Sequence, residues 1–257
     1  QRRGQVDAAL RMRREEVLPI FESIGDLRSR AIALGTIADV LQRRGQLDEA
    51  LRIRREEELP VYDRLGDVRA RAITLGRIAD VLQQRGQLDE ALRIRREEQL
   101  PVYERLGEAR ARAITLGKIA DVLQRQGQLD EALRIRREEE LPVFDRLGDI
   151  HARAVTLGKI ADILQQRGQI YEALRIRREE QLPAFDRLGE VRERAVTLGR
   201  IASTLEQQGQ VAEALRIWRS EVRPTIAATG SPSELETVDQ HIRALERRAR
   251  SEAEPPS

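Results

Sequence analysis

Titratable side chains are abundant in this chain, but the patterns that would make them a reaction centre are missing. The two histidines, His151 and His241, stand 90 positions apart, and neither belongs to a pair with metal-ligand spacing. Cysteine is absent, which excludes disulfides, thiolate metal sites and a cysteine nucleophile. Asp and Glu total 44, yet general acid–base chemistry needs a sheltered pair with displaced pKa values, and nothing in the order of residues marks one. There is no G-x-S-x-G elbow, phosphate-binding glycine loop or dinucleotide fingerprint. No catalytic residue, metal site or cofactor is therefore expected, and the chain reads as a protein that is not an enzyme. What does recur is charge. The run Arg95-Arg96-Glu97-Glu98 and its equivalents can form i,i+3 and i,i+4 ion pairs along a helix. Arg95 and Glu98 fall near the face that must pack inward, so part of this charge is expected to be buried between helices, where losing one partner costs far more than at a surface.

The elements that carry these residues are copies of one another. Gly66 to Leu106 reads GDVRARAITLGRIADVLQQRGQLDEALRIRREEQLPVYERL, and Gly107 to Leu147 repeats it with 33 of 41 positions identical. Pro19, Pro60, Pro101, Pro142, Pro183 and Pro224 keep a step of 41, as do Gly45, Gly86, Gly127, Gly168 and Gly209, and also Gly35, Gly76, Gly117, Gly158 and Gly199. A fixed period of this length means stacked supersecondary units, each burying its apolar face against its neighbours.

Within a unit, Val68, Ala72, Leu75, Ala79 and Leu82 mark one face of a helix. Asp67 is placed to cap its start and Gly86 to supply the left-handed turn beyond its end. A second helix follows, capped by Asp89 or its neighbour, with Leu88, Ala91, Leu92, Leu100, Val102, Tyr103 and Leu106 as its apolar residues. Pro101 lies inside that helix, where a proline costs about 3 kcal/mol and kinks the axis. Its recurrence predicts a built-in bend, the alternative being a helix that stops at Leu100. The expected fold is all-α, an α-solenoid of stacked antiparallel hairpins.

Leu75-x2-Ile78-Ala79-x2-Leu82, followed by Gly86, Leu88 and Glu90-Ala91-Leu92, resembles the tetratricopeptide repeat, with small residues where two helix backbones approach closely. The resemblance implies a right-handed superhelix and runs from about residue 5 to 228. Arg95 stands where the family places an aromatic, Pro101 comes earlier than the family's terminal proline, and the unit is longer than the common form by about seven residues, or two helical turns. In this it is similar to the long repeats of kinesin light chains and of the sensor regions of bacterial signal-transduction ATPases such as the maltose regulator. The resemblance also implies that the first helices line an inner groove. Its first rank is then Thr36, Arg77, Lys118, Lys159 and Arg200, and its second Asp39, Asp80, Asp121, Asp162 and Ser203. Gly76, Gln83 and Gln84 fall on the same face. Self-neutralisation of Arg77 by Asp80, three residues on, is the alternative to a ligand groove. The asparagines with which some members clamp a peptide carboxylate are missing, which disfavours that mode.

The division expected is an array over residues 1–230, made of a partial unit, 1–24, and five full ones, then a capping helix, 231–250, and a disordered tail, 251–257. Ser231-Pro232-Ser233-Glu234 is a capping box with proline in the first turn. Basic residues number 46 against 44 acidic, for a net charge of +2, and aromatics are only 3%. Both observations disfavour nucleic acid, which calls for a one-sided basic stripe or stacking aromatics. No apolar run is long enough for a membrane span, no secretion signal is evident, and the chain reads as cytoplasmic. The function expected is a protein- or peptide-binding scaffold or sensor, at the C-terminal end of a larger signalling protein because the chain begins mid-unit without Met. Self-association of the near-identical units, giving a homo-oligomer, is the alternative, and RNA binding a weaker one.

Overall fold

The computed structural model describes residues 8 and 10–253, and among these every regular element is helical. The fold is an all-α solenoid of stacked antiparallel hairpins. It forms two compact bodies that divide between Ala132 and Leu133. The first helices are Leu27–Arg43, Val68–Gln84 and Ala109–Arg125 in one body, and Ile150–Gln166 and Val191–Gln207 in the other. Each is 17 residues long. Among the described residues no helix is long and apolar enough to cross a membrane.

Local sequence sets the ends of these helices. The Asp67 carboxylate accepts the Ala70 amide at 2.9 Å, as Asp26 does for Ser29 and Asp149 for Ala152, satisfying an amide that has no partner within the helix. Gly86, at φ +79, ends the first-helix turn in the left-handed region, which costs glycine nothing. The second helix starts without a side-chain cap: Gln87 takes the cap position and Asp89 lies in the first turn. Ala79 and Ala91 are fully buried, so the helices of a hairpin meet at their smallest residues. Leu75, Ile78, Val81, Leu82 and Ile94 complete that core. Val68 and Leu106, both expected on the apolar face, are instead exposed at 50% and 43%. They flank the turn at Gly107 or Gly66, beyond the reach of the adjoining hairpin.

Pro101 does not end the second helix, and the turn that precedes it is not regular α-helix. The helix runs through Leu88–Arg93, then a π-helical turn over Ile94–Gln99, then Leu100–Arg105. The Leu100 amide reaches back five residues to the Arg95 carbonyl. Pro101 then falls in the first turn of the α-helical segment that follows, where its missing N–H is not needed. The same π turn precedes Pro60, Pro142, Pro183 and Pro224. The wider turn relieves the clash between the proline ring and the preceding turn.

Helix Pro232–Ala253 closes the second body. Ser231 and Glu234 form the expected reciprocal capping bonds, at 2.7 and 3.2 Å. The tail expected to be disordered begins inside this helix, and its remainder, 254–257, lies outside the described residues, as do residues 1–7 of the expected partial unit.

Because the π turn already accommodates the proline, Pro101→Ala should change the unfolding free energy by less than about 1 kcal/mol. A chemical denaturation midpoint measures this. A gain near the 3 kcal/mol of an unrelieved mid-helix proline would show that the ring is strained.

Candidate binding surface

Four of the π turns carry an arginine that the fold takes out of water. Arg54, Arg95, Arg136 and Arg177 are 1–2% exposed, so their charges need compensation. The Arg95 guanidinium donates to Asp80 on the first helix of its own hairpin at 2.7 Å, Arg177 does the same to Asp162 at 2.7 Å, and Arg54 binds Asp39. Arg54 also donates to Glu58, and Arg136 to Glu140, one turn along at 2.9 and 2.8 Å. Thr74 and Thr156, from the following first helices, donate to those two glutamates at 3.0 and 3.2 Å. The second rung of the alternation is an amide, Gln99 and Gln181, in the same place.

These residues explain the glycines of the first helices. A Cβ on Gly35 would lie 2.8 Å from the Glu58 carboxylate, and one on Gly76 2.3 Å from the Gln99 amide. Gly76 is therefore buried against its own hairpin and does not face the inner groove, a correction to the row in which it was expected.

The acidic rank is mostly committed to this interior network. Asp80 accepts from Arg95 and also from Lys118 of the next first helix, at 3.3 Å. Asp162 likewise holds Arg177 and Arg200. Neutralisation thus runs from one unit to the next, in place of the Arg77–Asp80 pair within one helix. Asp121 and Lys159 are half-buried and each has an interaction partner. Thr36 is half-buried and donates to the Ile32 carbonyl of its own helix at 2.9 Å, while Arg77 is exposed.

What remains for a partner is a rank that the periodicity argument passed over. Ile32, Ile73 and Ile114 in the first body, and Val155 and Val196 in the second, are 56, 41, 41, 39 and 43% exposed. Each lies four residues before Thr36, Arg77, Lys118, Lys159 or Arg200 and so shares a helix face with it. The first helices therefore present an aliphatic residue beside a polar or cationic one, once per unit. The signal was in the sequence: Ile73 is about 100° round the helix from the buried Ala72, yet it is β-branched and apolar in every unit.

Residues 69–138 match the family model described as tetratricopeptide repeat. Within that span the repeat is of the tetratricopeptide type. No curated protein sequence matches the chain. Among solved structures, this helical array is similar to a Podosopora anserina protein described as a putative kinesin light chain with nearly identical TPR-like repeats, at 20% identity and a TM-score of 0.63, covering 79% of this chain and 98% of that one. It is also similar to BtubC (BKLC) from P. vanneervenii, at 15% identity and a TM-score of 0.67 over 99% and 94% of the two chains, and to the apo form of RapI, at 12% identity and 0.59 over 96% and 97%. At these identities the likeness is one of fold. It bears out the tetratricopeptide resemblance and the hairpin solenoid.

Burial pushes the Glu58 carboxyl above the ordinary glutamate value, with Arg54 and Thr74 only partly offsetting it. A raised folded-state value means that protonating Glu58 favours the fold. This contribution is complete below the ordinary glutamate pKa and is lost as pH rises through the elevated one. Glu58→Gln, which installs the residue found at Gln99 and Gln181, should therefore be tolerated at neutral pH and should remove that pH dependence. Thermal melts of the two proteins across the acid range check it. A wild type that loses stability relative to Glu58→Gln as pH falls would contradict the assignment.

Proposed function

We propose that the chain is a non-catalytic protein- or peptide-binding module whose partner lies along the exposed faces of the first helices. One observation carries this: Ile73 and Ile114, each 41% exposed, repeat at a fixed step with Arg77 and Lys118 one turn on. Isolated exposed aliphatics are unremarkable, but a rank of them with cations alongside suits an extended or helical segment that alternates aliphatic and acidic residues. The tetratricopeptide match supports a binding role, and the balanced charge argues against nucleic acid. A position as the sensor or scaffold end of a larger signalling protein rests on the resemblance to long repeats and belongs to the same proposal, as does a cytoplasmic location.

A second rank favours self-association as the alternative. Ile24, Leu65 and Leu106 in the first body, and Leu147 and Leu188 in the second, are 38–66% exposed at the turns between units. Apolar edges of this kind can pair with a second copy. Light scattering over a concentration series separates a monomer from a homo-oligomer.

The binding face is tested by selection from a random peptide library. Selected peptides should combine aliphatic and acidic residues. Their affinity should fall at least about tenfold, the equivalent of 1.4 kcal/mol, when Ile73 and Ile114 are changed to Ser, with helicity unchanged. Arg93→Ser, on the opposite side of the hairpin, is the control. Equal binding by both variants would remove the first-helix face as the site.

A further inference from the structure

The last unit breaks the interior pattern of the four units before it, and it does so at several touching positions together. One step after Asp162, Arg177 and Gln181 stand Ser203, Trp218 and Val222. The buried ion pair is gone, and the amide on the glycine is replaced by an aliphatic. Helix Pro232–Ala253 keeps the register of a further first helix, since Ser231 follows the cap position Glu190 by the same step and Val238 follows Thr197.

The consequence is a change in space. The crevice beside Gly158, Asp162, Gln181 and Phe185 has a volume of 110 Å³. Its counterpart one unit on, beside Gly199, Ser203, Trp218 and Val222 and closed by Val238, is an open cavity of 510 Å³. That is within the range of sites for small organic ligands, about 300–1,000 Å³.

The walls define what would fit. Trp218 is pinned: its Nε1 donates to Glu206 at 2.6 Å, His241 packs edge-on at 4.8 Å between ring centroids, and the ring lies over Gly199. It therefore lines the cavity without being free to fill it. Val222, Ile226 and Val238 supply aliphatic surface. Of the charged lining residues, Arg177 and Arg200 are paired with Asp162, and Glu234 with Arg192 and the Ser231 amide, while the buried Arg177 Nε has no hydrogen-bond partner among the described residues. Ser203 is half-buried and its hydroxyl makes no hydrogen bond among the described residues. An apolar chamber with one aromatic wall, balanced charge and a single unengaged hydroxyl selects a neutral, flat ligand.

We propose that the cavity between the last hairpin and the C-terminal helix is a binding site for a neutral aromatic small molecule with one hydrogen-bonding group for Ser203. The site adjoins the end of the first-helix face at Val196 and Arg200, but its ligand and its test do not depend on that reading.

The probe is N-phenyl-1-naphthylamine, which is neutral and aromatic, carries one N–H, and fluoresces in apolar surroundings. The full chain should take up one equivalent saturably, with energy transfer from Trp218, the sole tryptophan, and with little dependence on salt. The triple variant Ser203→Asp/Trp218→Arg/Val222→Gln restores the residues of the preceding unit and should weaken binding at least about tenfold. Val238→Phe places a ring in the cavity from the cap helix, keeps Trp218 and should do the same, which covers the case in which the triple variant misfolds. Ile73→Ser should leave probe binding unchanged. No saturable binding, binding that survives Val238→Phe in a folded protein, or a site that accepts aromatic peptides but not the free probe would each overturn the proposal.

Discussion

An arginine held out of water by a single aspartate is the interaction on which the packing of these hairpins depends. Arg95 is 2% exposed and, among the described residues, Asp80 is its one carboxylate partner. A guanidinium buried without its counter-charge costs several kcal/mol. Apolar faces repeated at a fixed step could slide by one helical turn at small cost, but a slip here would strand the charge. Asp80 also receives Lys118, so the same carboxylate that sets the geometry inside one hairpin fixes the position of the next first helix. Asp162 repeats the arrangement with Arg177 and Arg200.

The π turn and the proline belong to this arrangement. Widening the helix over Ile94–Gln99 rotates the residues on either side relative to a plain α-helix, so that Ile94, Arg95 and Gln99 are buried along with Val102 and Tyr103. Proline at the start of the following α-helical segment needs no donor and holds that turn in place. The first-helix glycines answer on the other side: Gly35 and Gly76 leave room for Glu58 and Gln99 to lie against the helix backbone. Backbone geometry, a missing side chain and a buried charge thus form a single packing unit, repeated. Where the charge is dropped, at Ser203 and Trp218, the packing opens into a cavity.

Much of the fold was legible in the sequence because local rules and tertiary packing agree there. Asp67 caps its helix, Gly86 turns left-handed, Ala79 and Ala91 sit at the closest approach, and Ser231 with Glu234 closes the cap of the last helix. Burial of Arg95 was also legible from its place on the inward face. Its partner was not, because Asp80 lies on a different helix, and helical periodicity relates only residues on one helix. For the same reason Gly76 and the aspartate rank are read from the sequence as lining the inner groove, whereas the glycine faces Gln99 and Asp39, Asp80 and Asp162 bind the buried arginines. The proline suggested a bend or a break, since spacing alone does not reveal that a helix can widen. The exposed Ile73 rank escaped notice because an apolar residue in an amphipathic repeat is first read as core.

The most direct test is a double-mutant cycle between Asp80 and Arg95, using Asp80→Leu, Arg95→Met and both together, with unfolding free energies measured by denaturant titration. If the pair governs hairpin packing, each single change is strongly destabilising, the double variant recovers much of the loss, and the coupling is about 2 kcal/mol or more. Additive effects, with coupling near zero, would contradict it and leave apolar packing alone as the force that stacks the units.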